Sequence, residues 1–137
     1  MNTAASRASE LQRYFNNLEA TAGSAWEGLL LSNAYRVSMP LATRMLNQMG
    51  LGNETKAPFK LLENACGVGV VAPILQKMIK PDILQQSSIV CGDFSEEVVG
   101  LAKKRIVSEG WVNTEATKVD AQVRSPILPG PACPQDD

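Results

Sequence analysis

With 137 residues, 45% apolar and 20% charged side chains and a net charge of −1, the chain is sized for one domain or part of one. That balance excludes a disordered chain, which would be poorer in apolar groups and more highly charged. It also gives no electrostatic reason to expect nucleic acid, because a near-neutral chain lacks the basic excess that phosphates require.

No apolar run approaches the ~20 residues that span a bilayer, so no membrane partner is expected. Residues 1–13 hold no apolar core of signal-peptide length, and a cytoplasmic protein is the expectation. Cys66, Cys91 and Cys133 are an odd number without metal-like spacing, which supports neither a disulfide framework nor a metal site. Histidine is absent altogether. Any chemistry must run without imidazole, which excludes Ser-His and Cys-His nucleophiles and favours a reactive cofactor held in position.

The first block, residues 3 to about 50, reads as helical. Ala8, Leu11, Phe15 and Leu18 recur every three or four residues and share one face. Ser24 and Glu27 form a capping-box pattern ahead of Leu29, Leu30 and Leu31. Pro40 is expected to stop that helix and open another, along which Leu41, Met45 and Met49 recur every fourth residue. Met39, Met45, Met49 and Met78 read as packing residues. Tyr14, Trp26 and Tyr35 read as core. Residues 50–58, with Gly50, Gly52, Asn53 and Pro58, read as a linker.

The second block, residues 59 to about 121, alternates short apolar runs with amphipathic stretches. Strands are expected at 59–64, 88–92 and 116–119, with helices between them. The first helix ends before Pro81. The second has Ser95 as N-cap, acidic Glu96 and Glu97 in its first turn, basic Lys103, Lys104 and Arg105 toward its end, and Gly110 as terminator. Val98, Leu101, Ala102 and Ile106 share its apolar face. Strand, helix, strand, helix, strand is a βαβαβ unit and implies a parallel sheet in an α/β fold. Residues 123–137 carry Pro126, Pro129, Pro131 and Pro134, which exclude helix and deny donors to a sheet, and read as a disordered tail.

The chemistry concentrates where the first strand meets Gly67 and Gly69. Two residues without Cβ let a ligand approach the backbone. Asp93 ends the second strand and can accept from ribose hydroxyls, and Asp120 repeats the arrangement after the third. Gly67, Gly69 and Ala72 formally satisfy a dinucleotide fingerprint, so a fragment of a dinucleotide-binding oxidoreductase is one reading. Glu63 argues against it, because a carboxylate aimed at the turn would face a pyrophosphate of like charge. A cationic ligand would be attracted instead. Plainer roles stay open beside these: Glu63 as a solvated strand-end carboxylate, the glycines as a tight turn alone, Asp93 as an acceptor ahead of Ser95, Asp120 as a loop aspartate. Cys66 and Cys91 read as buried small hydrophobes, since no base accompanies them.

Three segments in order and spacing resemble class I S-adenosylmethionine (SAM)-dependent methyltransferases. Glu63-Asn64-Ala65-Cys66-Gly67-Val68-Gly69 is similar to the family's first motif, Gly92-Asp93-Phe94-Ser95 to its second, and Asp120-Ala121 to its third. The likeness covers about residues 59–122, with a flavour of fungal secondary-metabolite enzymes. It implies an incomplete Rossmann-like domain over 59–122, preceded by a helical cap segment over 1–58. It further implies SAM as cofactor and a small molecule as methyl acceptor.

By that resemblance, Glu63 takes the methionine ammonium, directly or through water, and Gly67 and Gly69 line the methionine and ribose. Asp93 holds the ribose hydroxyls and Phe94 packs on the adenine, and Asn64, Ala65, Cys66 and Ser95 count among the cofactor-binding residues. Asp120 and the Ala121 backbone N–H hold the adenine edge. Ala65 departs from the usual first glycine and is expected to tighten the turn. The resemblance implies no metal and assigns no catalytic residue. The family's sheet has further strands, which seventeen proline-rich residues after Asp120 cannot supply. The chain is therefore expected to be a truncated portion, weakly active or inactive alone. The rival expectation is a non-enzymatic remnant that pairs with itself or another chain through an open sheet edge.

Overall fold

The computed structural model describes residues 6, 9, 10, 13, 14, 17 and 25–121. The expected face of Ala8, Leu11, Phe15 and Leu18, the Ser24 half of the capping box and the proline-rich tail 123–137 lie outside the described residues.

Helix α1 (Ala25–Asn33) passes through a π-helical turn (Ala34–Ser38) into α2 (Met39–Gln48). The break expected at Pro40 does not occur. Proline has no N–H for the helical ladder, and the wider turn ahead of it takes up the mismatch: the Met39 N–H donates back five residues to the Ala34 carbonyl. The face of α2 that turns inward carries Met39, Ala42 and the fully buried Leu46. Met39 and Met78 pack against the core as expected, whereas Met45 and Met49, also expected as packing residues, are exposed with Leu41, because burial of Leu46 rotates their row to the outside. Tyr14 and Tyr35 are exposed as well, whereas Trp26 is core as expected.

Strands β1 (Lys60–Asn64), β2 (Ser88–Asp93) and β3 (Thr114–Lys118) form a parallel sheet in the order β1-β2-β3. The connecting helices are α3 (Val71–Met78), the short α4 (Pro81–Leu84) and α5 (Glu96–Glu109). This is the expected βαβαβ, Rossmann-like arrangement, with α4 as an addition. It arises because Lys80 before Pro81 is held extended, at ψ 140°, and Pro81 then suits the first position of a new helix. The third strand starts two residues earlier than expected, after Asn113 takes a left-handed φ of 46°.

Leu75, Ile89, Cys66, Cys91 and Leu46 are the largest fully buried side chains. They tie both blocks into one core with Val71, Ile74 and Trp111. A second cluster joins Trp26 and Ala34 of the helical segment to Val68 of the glycine turn and to Val98 and Leu101 of α5. The helical segment is thus packed on the turn that the sequence singles out.

Helix α5 begins and ends as its sequence predicts. The Ser95 hydroxyl accepts from the Val98 N–H at 3.4 Å, and Gly110 closes the helix at φ 66°. The Trp111 N–H then donates to the Ile106 carbonyl at 3.0 Å. That reversal carries the Trp111 ring back toward the glycine turn.

Candidate functional site

The turn from β1 to α3 spans the six residues 65–70, which belong to no helix or strand, and its backbone is fixed from several sides. The Cys66 N–H donates to the Gly92 carbonyl of β2 at 2.9 Å, and the Gly69 N–H donates to the Cys66 carbonyl at 2.9 Å. Ala65, Gly67 and Gly69 all have positive φ, at 56°, 56° and 81°. The two glycines serve different ends. A Cβ on Gly67 would project into open space, whereas one on Gly69 would lie 3.0 Å from the Trp111 ring. Gly67 therefore leaves an approach to the backbone open, and Gly69 leaves room for the indole.

Ala65 tolerates a conformation that costs a residue with a Cβ roughly 1–2 kcal/mol. Part of that strain is offset because glycine loses more freedom on folding. Ala65→Gly should accordingly stabilise the protein by roughly 0.5–1 kcal/mol, read as a higher urea midpoint with an unchanged slope.

Glu63 leaves β1 pointing at this turn. Its Oε1 accepts from the Val70 and Val71 N–H groups at 3.0 and 3.1 Å. Helix α3 has no side-chain N-cap of its own, and Pro73 brings no N–H, so a strand residue performs the capping. The second oxygen, Oε2, faces the Cys91 thiol at 3.8 Å, the partner of Glu63 in the β1–β2 register. Burial pushes the Glu63 carboxyl above its ordinary value of 4.5, against the pull of the backbone N–H groups of Val70, Val71 and Ala72.

The folded state thus holds this proton longer than the unfolded chain. The stability it contributes is full below pH 4.5 and is lost as pH rises through the folded value. Across that window the stability of Glu63→Gln should fall less with pH than that of the wild-type protein, measured by urea unfolding at a series of pH values.

Asp93 bridges the two turns at the carboxyl end of the sheet. Its Oδ2 accepts from the Gly67 N–H at 2.9 Å and its Oδ1 from the Ser95 N–H at 3.0 Å. Its own carbonyl accepts from the Val119 N–H at 2.8 Å, which brings the segment with half-buried Asp120 and exposed Ala121 to the same edge. Phe94 is exposed, with the Lys118 ammonium 5.5 Å from its ring centre, and that ammonium pairs with Glu96 at 2.9 Å. A cavity of about 330 Å³ opens there, lined by Ser9, Phe94, Glu96, Glu97 and Lys118. Ser95 is buried, its hydroxyl accepting from Val98 and donating to Glu97 at 2.9 Å, so it is a helix cap. Asn64 lies exposed at the end of β1.

The structure therefore brings Glu63 and Asp93 onto one turn from adjacent strands, with Asp120 at the same sheet edge. The N–H groups that open α3 are already satisfied by a carboxylate, so this helix end offers no seat for a pyrophosphate. Cys66 and Cys91 are buried as expected. Contact with Cys91 and burial both push the Cys66 thiol far up, with Glu63 and Asp93 adding to the effect. Among the described residues no group of three or more His, Cys, Asp or Glu could hold a metal ion. None of their helices is long and apolar enough to cross a membrane.

Arg105 and Trp111 are the site residues that the sequence reading missed. Arg105 reads as one of three basic residues near a helix end, yet it lies four residues after Leu101 and seven after Val98, on the apolar face of α5. It is 8% exposed, and its Nη1 donates to both the Val68 and Gly69 carbonyls at 2.8 Å. Its apolar-face position is the signal that could have found it.

A parallel α/β sheet whose first two strand ends carry carboxylates onto a glycine turn is the arrangement expected from the likeness to class I SAM-dependent methyltransferases. Proteins named methyltransferases are indeed what this chain is similar to. It is 33% identical over 87 residues to methyltransferase tpcH of Aspergillus fumigatus, covering 64% of this chain and 31% of that protein. It is 33% identical over 86 residues to the acetylaranotin bis-thiomethyltransferase of Aspergillus terreus, covering 63% and 31%. The chain spans about a third of the length of these curated relatives. A SAM-dependent methyltransferase from Aquifex aeolicus overlays with a TM-score of 0.47 at 25% identity, over 58% of this chain and 38% of that one. No family profile matches the chain.

Proposed function

We propose that the chain carries the SAM-binding portion of a methyltransferase acting on a small organic molecule, in the manner of fungal secondary metabolism. The observation that carries this reading is the convergence of Glu63 and Asp93 on the turn at Gly67. One carboxylate is desolvated and aimed where a cation would be welcome, and the other is poised beside bare backbone where ribose hydroxyls could reach it. The donor set suits the cofactor. Glu63 retains acceptor capacity on Oε2 for an ammonium, and Asp93 keeps a free lone pair on each oxygen. The open space at Gly67 admits the nucleoside, and the exposed Phe94, with Asp120 and Ala121 near the end of the third strand, would border its adenine.

The cofactor, when bound, supplies a methyl group made electrophilic by its sulfonium. The chain's own residues bind it and orient it, and neither task calls for an imidazole. The helical segment serves as a cap over residues 59–122, and the methyl acceptor is a small molecule.

Titration calorimetry with S-adenosylhomocysteine tests it. Saturable heat at neutral pH is expected, weakening as the pH falls through the Glu63 titration, because protonation removes the charge that receives the ammonium. Absence of heat at millimolar ligand would sink the reading.

A further inference from the structure

We propose that Arg105 is the positioning residue of the cofactor turn, acting from behind it through Glu63. This rests on the reading of the turn as a SAM site. The Gly69–Val70 peptide is gripped at both ends: Arg105 Nη1 binds its carbonyl at 2.8 Å, and Glu63 Oε1 accepts from its N–H at 3.0 Å. The preceding peptide is held in the same way, with the Val68 carbonyl on Arg105 and the Gly69 N–H on the Cys66 carbonyl. One guanidinium nitrogen therefore sets the tilt of two consecutive peptide planes, and with it the carboxylate that faces the ligand.

The guanidinium is itself aimed by three groups. Glu109 Oε1 accepts from its Nε at 2.7 Å. The Trp111 ring lies 4.9 Å from Cζ and the Tyr35 ring 5.9 Å, so the planar group is bordered by two aromatics. Trp111 is fixed in turn by its indole N–H on Glu109 Oε2 at 3.1 Å and by contact with Gly69. Burial works against the charge of Glu109, but the Arg105 guanidinium and the Trp111 indole outweigh it and hold its carboxyl below the ordinary value. Tyr35 comes from the π-helical turn and its hydroxyl accepts from Arg105 Nη2 at 3.4 Å, so docking of the helical segment reaches the turn through this arginine.

The test uses the full chain in two arms. Amide hydrogen exchange at Gly69, Val70 and Val71, read by NMR, needs no ligand. Calorimetry with S-adenosylhomocysteine reads the consequence for the site. Arg105→Met should accelerate exchange at those three amides by about tenfold while Ile89 and Val90 in β2 keep their rates, and should weaken ligand affinity by about tenfold. Arg105→Lys, which can reach a carbonyl but cannot be held by Glu109 and the two rings alike, should restore part of both. Glu109→Gln should give a smaller acceleration confined to the same amides, and it decides the matter if Arg105→Met does not fold.

Acceleration spread equally over turn and sheet would mean that Arg105 is only a stabilising core residue, and unchanged turn amides would overturn the proposal outright. If the wild-type protein gives no heat with the ligand, the functional reading fails while the exchange arm still decides the role of Arg105.

Discussion

Glu63→Ala should lower the unfolding free energy by about 1–3 kcal/mol, because the Val70 and Val71 N–H groups lose their acceptor at the start of a helix that has no other side-chain cap. Glu63→Gln should behave differently. Its amide oxygen still accepts from both N–H groups, and at neutral pH it removes a charge that burial penalises, so stability should stay close to that of the wild-type protein. Ligand affinity should not survive as well. Loss of a charge-assisted bond to an ammonium is worth about 1.5–3 kcal/mol, or roughly ten- to a hundredfold in affinity. The two variants thus separate the capping role from the binding role of one side chain. Urea unfolding reads the first and calorimetry with S-adenosylhomocysteine reads the second. Equal ligand affinity for Glu63→Gln and the wild-type protein would remove the ammonium from the argument.

Gly69→Ala should be the more damaging change to the fold. At φ 81° a Cβ costs roughly 1–2 kcal/mol in backbone strain. The same Cβ would stand 3.0 Å from two atoms of the Trp111 ring, and displacing a buried indole adds about 1–3 kcal/mol. Gly67→Ala meets the backbone cost alone, since nothing lies within 4 Å of its Cβ. The expected order in urea is wild type above Gly67→Ala above Gly69→Ala. The order in ligand affinity should be set instead by Gly67, whose Cβ would enter the open approach. Equal destabilisation by the two alanines would show that Trp111 yields freely.

Much of the α/β architecture is legible along the chain because its signals are local. Ser95 and Gly110 bracket α5 through bonds made within a few residues, so residue type at those two positions is enough to place the helix ends. Pro40 misleads for the opposite reason. Its missing N–H is a local fact, but whether the chain breaks or widens into a π turn depends on Trp26 and Ala34 finding cover on one side and Leu46 on the other. The exposed row of Leu41, Met45 and Met49 shows the same limit. Periodicity reveals that a helix has an apolar row, and the neighbours decide which row is buried.

The candidate site divides along the same line. Residue order alone determined that carboxylates at Glu63, Asp93 and Asp120 fall at successive strand ends beside a glycine turn, because parallel strands joined by helices must present their carboxyl ends on one edge. Only the tertiary structure decided what each group does there: that Glu63 caps α3, that Gly69 makes room for Trp111, and that Arg105 holds two turn carbonyls from a helix 36 and 37 residues away. Those roles depend on distances between side chains remote in sequence. No spacing rule encodes such distances, because they come into being when the core closes.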